Sequence, residues 1–174
     1  MRKPFAIVLL LVAMLVGCGE NHPQQQVSPQ TSKLKESLEK ANRYLANEEE
    51  SDIQNYIERH KFDMVATGTG LRYQILKEGT GAFAQPGQQV TMEYELYNIM
   101  GDLLYSSEKE GVMSFVVGKS DVVSGLDEAV RHLRKGDVAR LIIPSHLGYG
   151  LPGDQNLISG RATLIYIVKI LEIK

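Results

Sequence analysis

The run Ala162–Ile173 (ATLIYIVKILEI), close to the carboxyl end, is apolar at odd and even positions alike. Successive side chains of a strand point to opposite faces. A strand that is apolar on both must be covered on both, so it belongs inside a sheet and not at its edge. The chain is therefore expected to build a sheet around this segment.

Upstream segments supply partners for it. Leu71 to Leu76 is a strand candidate closed by Glu78-Gly79-Thr80-Gly81, and Pro86-Gly87 marks a turn. From Val90 to Ile99 the sequence alternates, with Val90, Met92, Tyr94 and Leu96 on one side and Thr91, Glu93 and Glu95 on the other, the pattern of a half-buried strand. Met100-Gly101-Asp102 turns it into Leu103-Leu104-Tyr105. Met113 to Val117 and Asp137 to Ile143 are further strands, and Pro144 to Gly160 is a glycine-rich loop. One helix stands among them. Ser124-Gly125-Leu126-Asp127 has capping-box character, and Leu126, Ala129, Val130 and Leu133 form one apolar stripe. Arg131, Arg134 and Lys135 fall where the helix dipole favours cations, and Gly136 ends it. The expected class is α+β: an antiparallel curved sheet whose concave face wraps one short helix.

The amino end reads as an address. Arg2 and Lys3 precede the apolar run Phe5–Val16. As a helix that run would span roughly 18 Å, short of a hydrocarbon core of about 30 Å. This is the build of a secretory leader. Leu15-Val16-Gly17-Cys18 resembles the lipobox of bacterial lipoproteins, in which diacylglycerol is joined to the thiol and the chain is cut before the cysteine. The expected organisation is a leader over 1–17, a lipid-bearing Cys18 with a flexible tether over 18–32, a short helical segment over 33–66 and the main domain over 67–174. In the helical segment, Leu34, Leu38, Ala41 and Leu45 share one face from Lys33 to about Asn47. A second helix is expected from about Ser51 to Arg59, with Ile53, Tyr56 and Ile57 inward. This pair is read as a cap on its own domain, or else as a dimer interface or docking arm; the oligomeric state stays open. Gly19 after the cysteine, by resemblance to the sorting pattern of enteric lipoproteins, points to the outer membrane.

Composition excludes several function classes. A net charge of −2 gives no broad basic surface, so nucleic acid is not an expected partner. With Cys18 alone no internal disulfide can form. His22, His60, His132 and His146 pair neither with one another nor with cysteine at ligand spacing, so no metal and no cofactor is expected. Gly148-Tyr149-Gly150-Leu151-Pro152-Gly153 fits G-x-G-x-x-G, but a dinucleotide site needs that motif between a strand and a helix, and no helical stripe follows here.

Three blocks carry a family resemblance. Val122-Val123-Ser124-Gly125-Leu126-Asp127-Glu128-Ala129 opens the helix, Ile143-Pro144-Ser145-His146-Leu147-Gly148-Tyr149-Gly150 opens the loop, and Ala162-Thr163-Leu164-Ile165-Tyr166 begins the last strand. Together they resemble the FKBP-type peptidyl-prolyl cis-trans isomerases, from about Leu71 to Lys174. With the lipobox, the helical pair and Tyr105-Ser106-Ser107-Glu108, the chain also resembles the gliding-motility-associated lipoprotein members.

The resemblance implies an isomerase of X–Pro bonds in exported polypeptides, held by lipid in a bacterial cell envelope. The alternative is a low-activity binding module or a subunit of an envelope or gliding-motility complex. Carried onto this sequence, the pocket implies Tyr94, Phe115 and Tyr166 as aromatic walls and floor, with Leu126 as the base. Leu104, Met113 and Val122 line it, and Leu157 and Ile158 are flap contacts. The Val123 N–H would hold a substrate carbonyl, and Tyr149 would donate from its hydroxyl. Four departures imply a softer pocket, a looser flap and weaker macrolide binding. Tyr105 stands where the family has Asp, Leu126 at an often aromatic position, Met113 for a common Phe, and Ile158-Ser159-Gly160 for "I-P-P".

Overall fold

The computed structural model describes residues 29–119 and 122–174. The leader, Cys18 and the tether up to residue 28 lie outside the described residues. The chain divides into two compact units, Met1–Lys40 and Ala41–Lys174.

Helix α1 covers Pro29–His60. It replaces the two helices expected over 33–59 and takes in the last residues of the expected tether. The acidic stretch Glu48-Glu49-Glu50 interrupts the apolar stripe but contains no Gly or Pro. Glutamate is a good helix former, so nothing there breaks the backbone ladder. In the first unit Leu34 and Leu38 are exposed, and Lys40 pairs with Glu36 at 2.9 Å.

The second unit is built on a seven-stranded antiparallel sheet. Its strands are β1 (Val65–Ala66), β2 (Arg72–Lys77), β3 (Gln89–Asn98), β4 (Leu103–Ser106), β5 (Met113–Val116), β6 (Val138–Ile143) and β7 (Leu164–Ile173). They run in the order β1-β2-β6-β7-β3-β4, with β5 also paired to β3. The two-faced segment is therefore central, flanked by β6 and β3. Short β1 has no apolar periodicity and is legible only from its pairing with β2.

The faces of β7 bury against different things. Leu164, Tyr166, Val168 and Ile170 point inward with Leu141 and Ile143 of β6 and with Val90, Met92, Tyr94 and Leu96 of β3. Helix α3 (Ser124–Val130) closes this inner core with Leu126, Ala129 and Val130. Gly125 is required at that contact, because a Cβ there would stand 2.4 Å from the Ile143 side chain. On the other face Ile165 and Ile142 pack with Ile53 of α1, and Tyr56, Ile57 and Met64 lie around them.

The ends of α3 differ from expectation. Val123 is the N-cap, without a side-chain bond to the helix. Ser124 Oγ instead donates to the Leu147 carbonyl at 3.3 Å. Asp127 accepts from the Gly118 N–H at 2.6 Å and pairs with Arg131. The helix stops at Val130, because Arg131, His132 and Leu133 each donate to the carbonyl three residues back, which tightens the chain into successive turns. Leu133 still reaches the core from this turn, fully buried. Two short elements complete the unit: helix α2 (Ser107–Glu110) and a 3₁₀ turn over Ser145–Leu147.

Candidate functional site

The carried-over residues divide into a floor and a rim. Tyr94, Phe115, Leu126, Ile158 and Tyr166 are buried in one apolar cluster. Leu104, Met113, Val122 and Val123 are half-buried and pack against it. They come from β3, β4, β5, the start of α3, the loop and β7, so the sheet's curvature gathers what the sequence scatters. The Tyr94 and Tyr166 rings lie 6.2 Å apart, tilted by 48°. Tyr149, on the loop, is 38% exposed. On the same loop, Leu157 is 52% exposed and lies outside the cluster, while its neighbour Ile158 is buried in it.

Val123 precedes the first turn of α3, where backbone N–H groups have no partner within the helix. Its own carbonyl accepts from the Leu126 and Asp127 N–H groups at 3.0 and 3.2 Å, which fixes the peptide unit at the rim.

The phenols stay protonated at neutral pH. Burial pushes Tyr166, Tyr149 and Tyr94 up from the ordinary tyrosine value. Tyr105 is raised first by its hydrogen bond to Asp154. Electrostatic coupling links Tyr149 to Asp154, Tyr105 and Tyr94, so these groups share one neighbourhood. A neutral Tyr149 hydroxyl is a donor there.

Sequence reasoning missed the fastening of the loop. Tyr105 Oη donates to Asp154 Oδ2 at 2.5 Å and accepts from Asn156 Nδ2 at 3.0 Å. Asp154 Oδ1 accepts from the Asn156 and Ile158 N–H groups at 2.9 and 2.7 Å. Gly153 has φ +64°, and a Cβ there would lie 2.1 Å from the Ile158 carbonyl, so the fold-back demands glycine. Without the prolines that stiffen the family's usual flap, this loop is held by a carboxylate and by the tyrosine that replaces the family's aspartate. Partial burial draws the Asp154 carboxyl up, but its hydrogen bonds from Tyr105 and the backbone outweigh this and hold it below the usual range. The D-x-N spacing Asp154-Gln155-Asn156 was the available signal, an Asx turn in sequence dress.

The Gly148–Gly153 run lies between the 3₁₀ turn and β7, not between a strand and a helix. The whole arrangement is an apolar, aromatic cluster with the part-exposed Tyr149 nearby on the loop.

Comparison with known proteins agrees with this geometry. The family described as FKBP-type peptidyl-prolyl cis-trans isomerase matches residues 80–171. FK506-binding protein 4 of Neurospora crassa is 41% identical over 109 residues, covering 60% of this chain and 22% of that protein. FK506-binding protein 1 of Dictyostelium discoideum is 32% identical over 106 residues, covering 60% of this chain and 99% of its own length. The FKBP-type peptidyl-prolyl cis-trans isomerase FkpA of Buchnera aphidicola is 32% identical over 115 residues, 66% of this chain and 45% of the relative. Some relatives are thus matched nearly end to end, others over less than half their length. The chain belongs to the FKBP-type peptidyl-prolyl cis-trans isomerase family.

Proposed function

We propose that this chain accelerates cis–trans isomerisation of X–Pro bonds in exported polypeptides, and that lipid on Cys18 anchors it in a bacterial cell envelope, at the outer membrane. One observation carries the catalytic part. The part-exposed Tyr149 lies near enough to Tyr94 and Tyr166 to act on their phenols electrostatically, and those two residues are buried with Phe115 and Leu126 in one apolar cluster.

The reaction makes and breaks no covalent bond. Amide resonance sets a barrier of roughly 18–20 kcal/mol to rotation. As the peptide twists, resonance and charge separation fall, so water-poor apolar walls favour the twisted state over the planar one. The proline ring would lie on the aromatic floor. The Val123 N–H would hold a carbonyl of the substrate, and Tyr149 would donate to another. A thousandfold acceleration needs only about 4 kcal/mol at about 1.4 kcal/mol per tenfold.

The test is cis-to-trans exchange of an X–Pro peptide with the protein over a broad concentration range. Acceleration proportional to concentration is expected, and a rate equal to the protein-free control removes the enzyme reading. That control rate is also what the second reading, a low-activity binding module, expects. Tyr105 at the family's aspartate position favours it, since the phenol is engaged with Asp154. For the anchor, Cys18→Ser should move the protein from the membrane to the soluble fraction; unchanged fractionation removes the lipid.

A further inference from the structure

We propose that Glu49, on α1 and outside the segment matched to the family, is a positioning residue for the loop that carries Tyr149 and Ile158. Its Oε1 accepts from the Ser145 backbone N–H at 2.6 Å and from the Thr163 hydroxyl at 2.8 Å. Its Oε2 accepts from the Ser145 hydroxyl at 2.7 Å. Ser145 opens the loop after β6, and Thr163 directly precedes β7. One carboxylate therefore fastens both ends of the loop. Both partners are buried, at 5% and 6% exposure, and hydrogen bonds to an ionised acceptor are the strong ones.

The bonds continue toward the site. The Ser145 carbonyl accepts from the Gly148 and Gly150 N–H groups at 3.1 and 2.9 Å, on either side of Tyr149. The Gly150 carbonyl accepts from the Arg161 N–H at 2.7 Å, near the other end of the loop. Glu49 thus sets the frame from which Tyr149 projects, while Asp154 shapes the loop's far turn. The turn of α1 that carries Glu49 is held in register by the Glu50–Arg72 ion pair.

The kinetic part rests on the isomerase reading; the structural part does not. The experiment compares the full chain with Glu49→Ala, Glu49→Gln and Ile53→Val. It measures kcat/KM for an X–Pro peptide, amide hydrogen exchange and thermal midpoint. Glu49→Ala should lower kcat/KM by about fivefold or more, about 1 kcal/mol at about 1.4 kcal/mol per tenfold. It should also speed exchange at 145–161 while β3 and β7 keep their protection. Glu49→Gln should return to within about twofold of the parent, because its carbonyl can accept from both Ser145 N–H and Thr163 Oγ–H. Ile53→Val should lower the thermal midpoint and leave kcat/KM unchanged. The proposal is overturned if Glu49→Ala keeps parental kcat/KM and loop exchange, or if it loses no more than Ile53→Val at an equal interval below the midpoint. Should the parent chain show no catalysis, the isomerase reading falls and loop exchange alone decides. Should Glu49→Ala not fold, Thr163→Val takes its place: selective acceleration of loop exchange supports the proposal, and none overturns it.

Discussion

The two faces of the sheet are built differently. The inner face buries a continuous apolar cluster from β3, β6, β7 and α3, and its edge becomes the candidate pocket. The outer face buries Ile53, Ile142 and Ile165 with a ring of partly buried residues that includes Tyr56, Ile57 and Met64, and adds polar contacts to them. Arg72 bonds the Gly70 carbonyl at 2.6 Å and pairs with Glu50, Arg140 lies 3.6 Å over the Phe62 ring, and Glu49 holds Ser145 and Thr163. The inner side makes the fold and the hollow. The outer side, with a smaller apolar cluster and two aimed carboxylates, gives orientation more than bulk stability.

The comparison breaks most plainly through stability. Leu141→Ala on the inner face should cost about 2–5 kcal/mol, as large-to-small changes in a closed core do. On the outer face Ile53→Val should cost about 0.5–1.5 kcal/mol. Urea unfolding measures both, and equal losses would erase the distinction between the faces. Next in size is the pocket rim. Tyr149→Phe should lower kcat/KM about two- to tenfold with the unfolding midpoint kept, the worth of one net hydrogen bond of about 0.5–1.5 kcal/mol; an unaltered rate takes Tyr149 out of the site. A subtler effect is expected at Tyr105→Phe, which removes the phenol's bond to Asp154 and should raise cleavage by a protease within 149–160 while leaving the rest intact. The smallest effect is one of pH. Asp154 is held below the ordinary carboxylate range, so its tie to the loop is complete above the unfolded carboxyl value and is lost as pH falls through the lower folded one. Loop exchange, corrected for the intrinsic rate, should therefore be flat near neutrality and rise only in acid; a rise near pH 7 would contradict the assignment.

Much of this was legible beforehand. The two-faced pattern of Ala162–Ile173 predicts a central strand, and β7 is one. Alternation over Val90–Leu96 predicts the inner face of β3, and those residues are buried. Periodicity reports which side of an element meets apolar surroundings, so it locates the inner core. It is silent on polar groups that act across the fold. Glu48-Glu49-Glu50 looked like a gap between two helices, because an acid on a helix gives no sign of a buried partner some hundred positions away. Tyr105 and Asp154 are separated by 49 positions and meet only because the fold brings β4 beside the loop. Leu157 and Ile158 show the finer limit: adjacent apolar residues in a loop carry no period to say which turns inward.

The coverage of Ile142 and Ile165 by α1 bears on how the molecule can be cut. Trimming to residue 67 would retain every strand from β2 onward and the entire segment matched to the family. It would also bare a greasy stripe along the middle of the sheet and strand two buried hydroxyls at the loop's hinges. Such a fragment should self-associate as its concentration rises, so expression boundaries for this domain belong upstream of α1's sheet-facing turns.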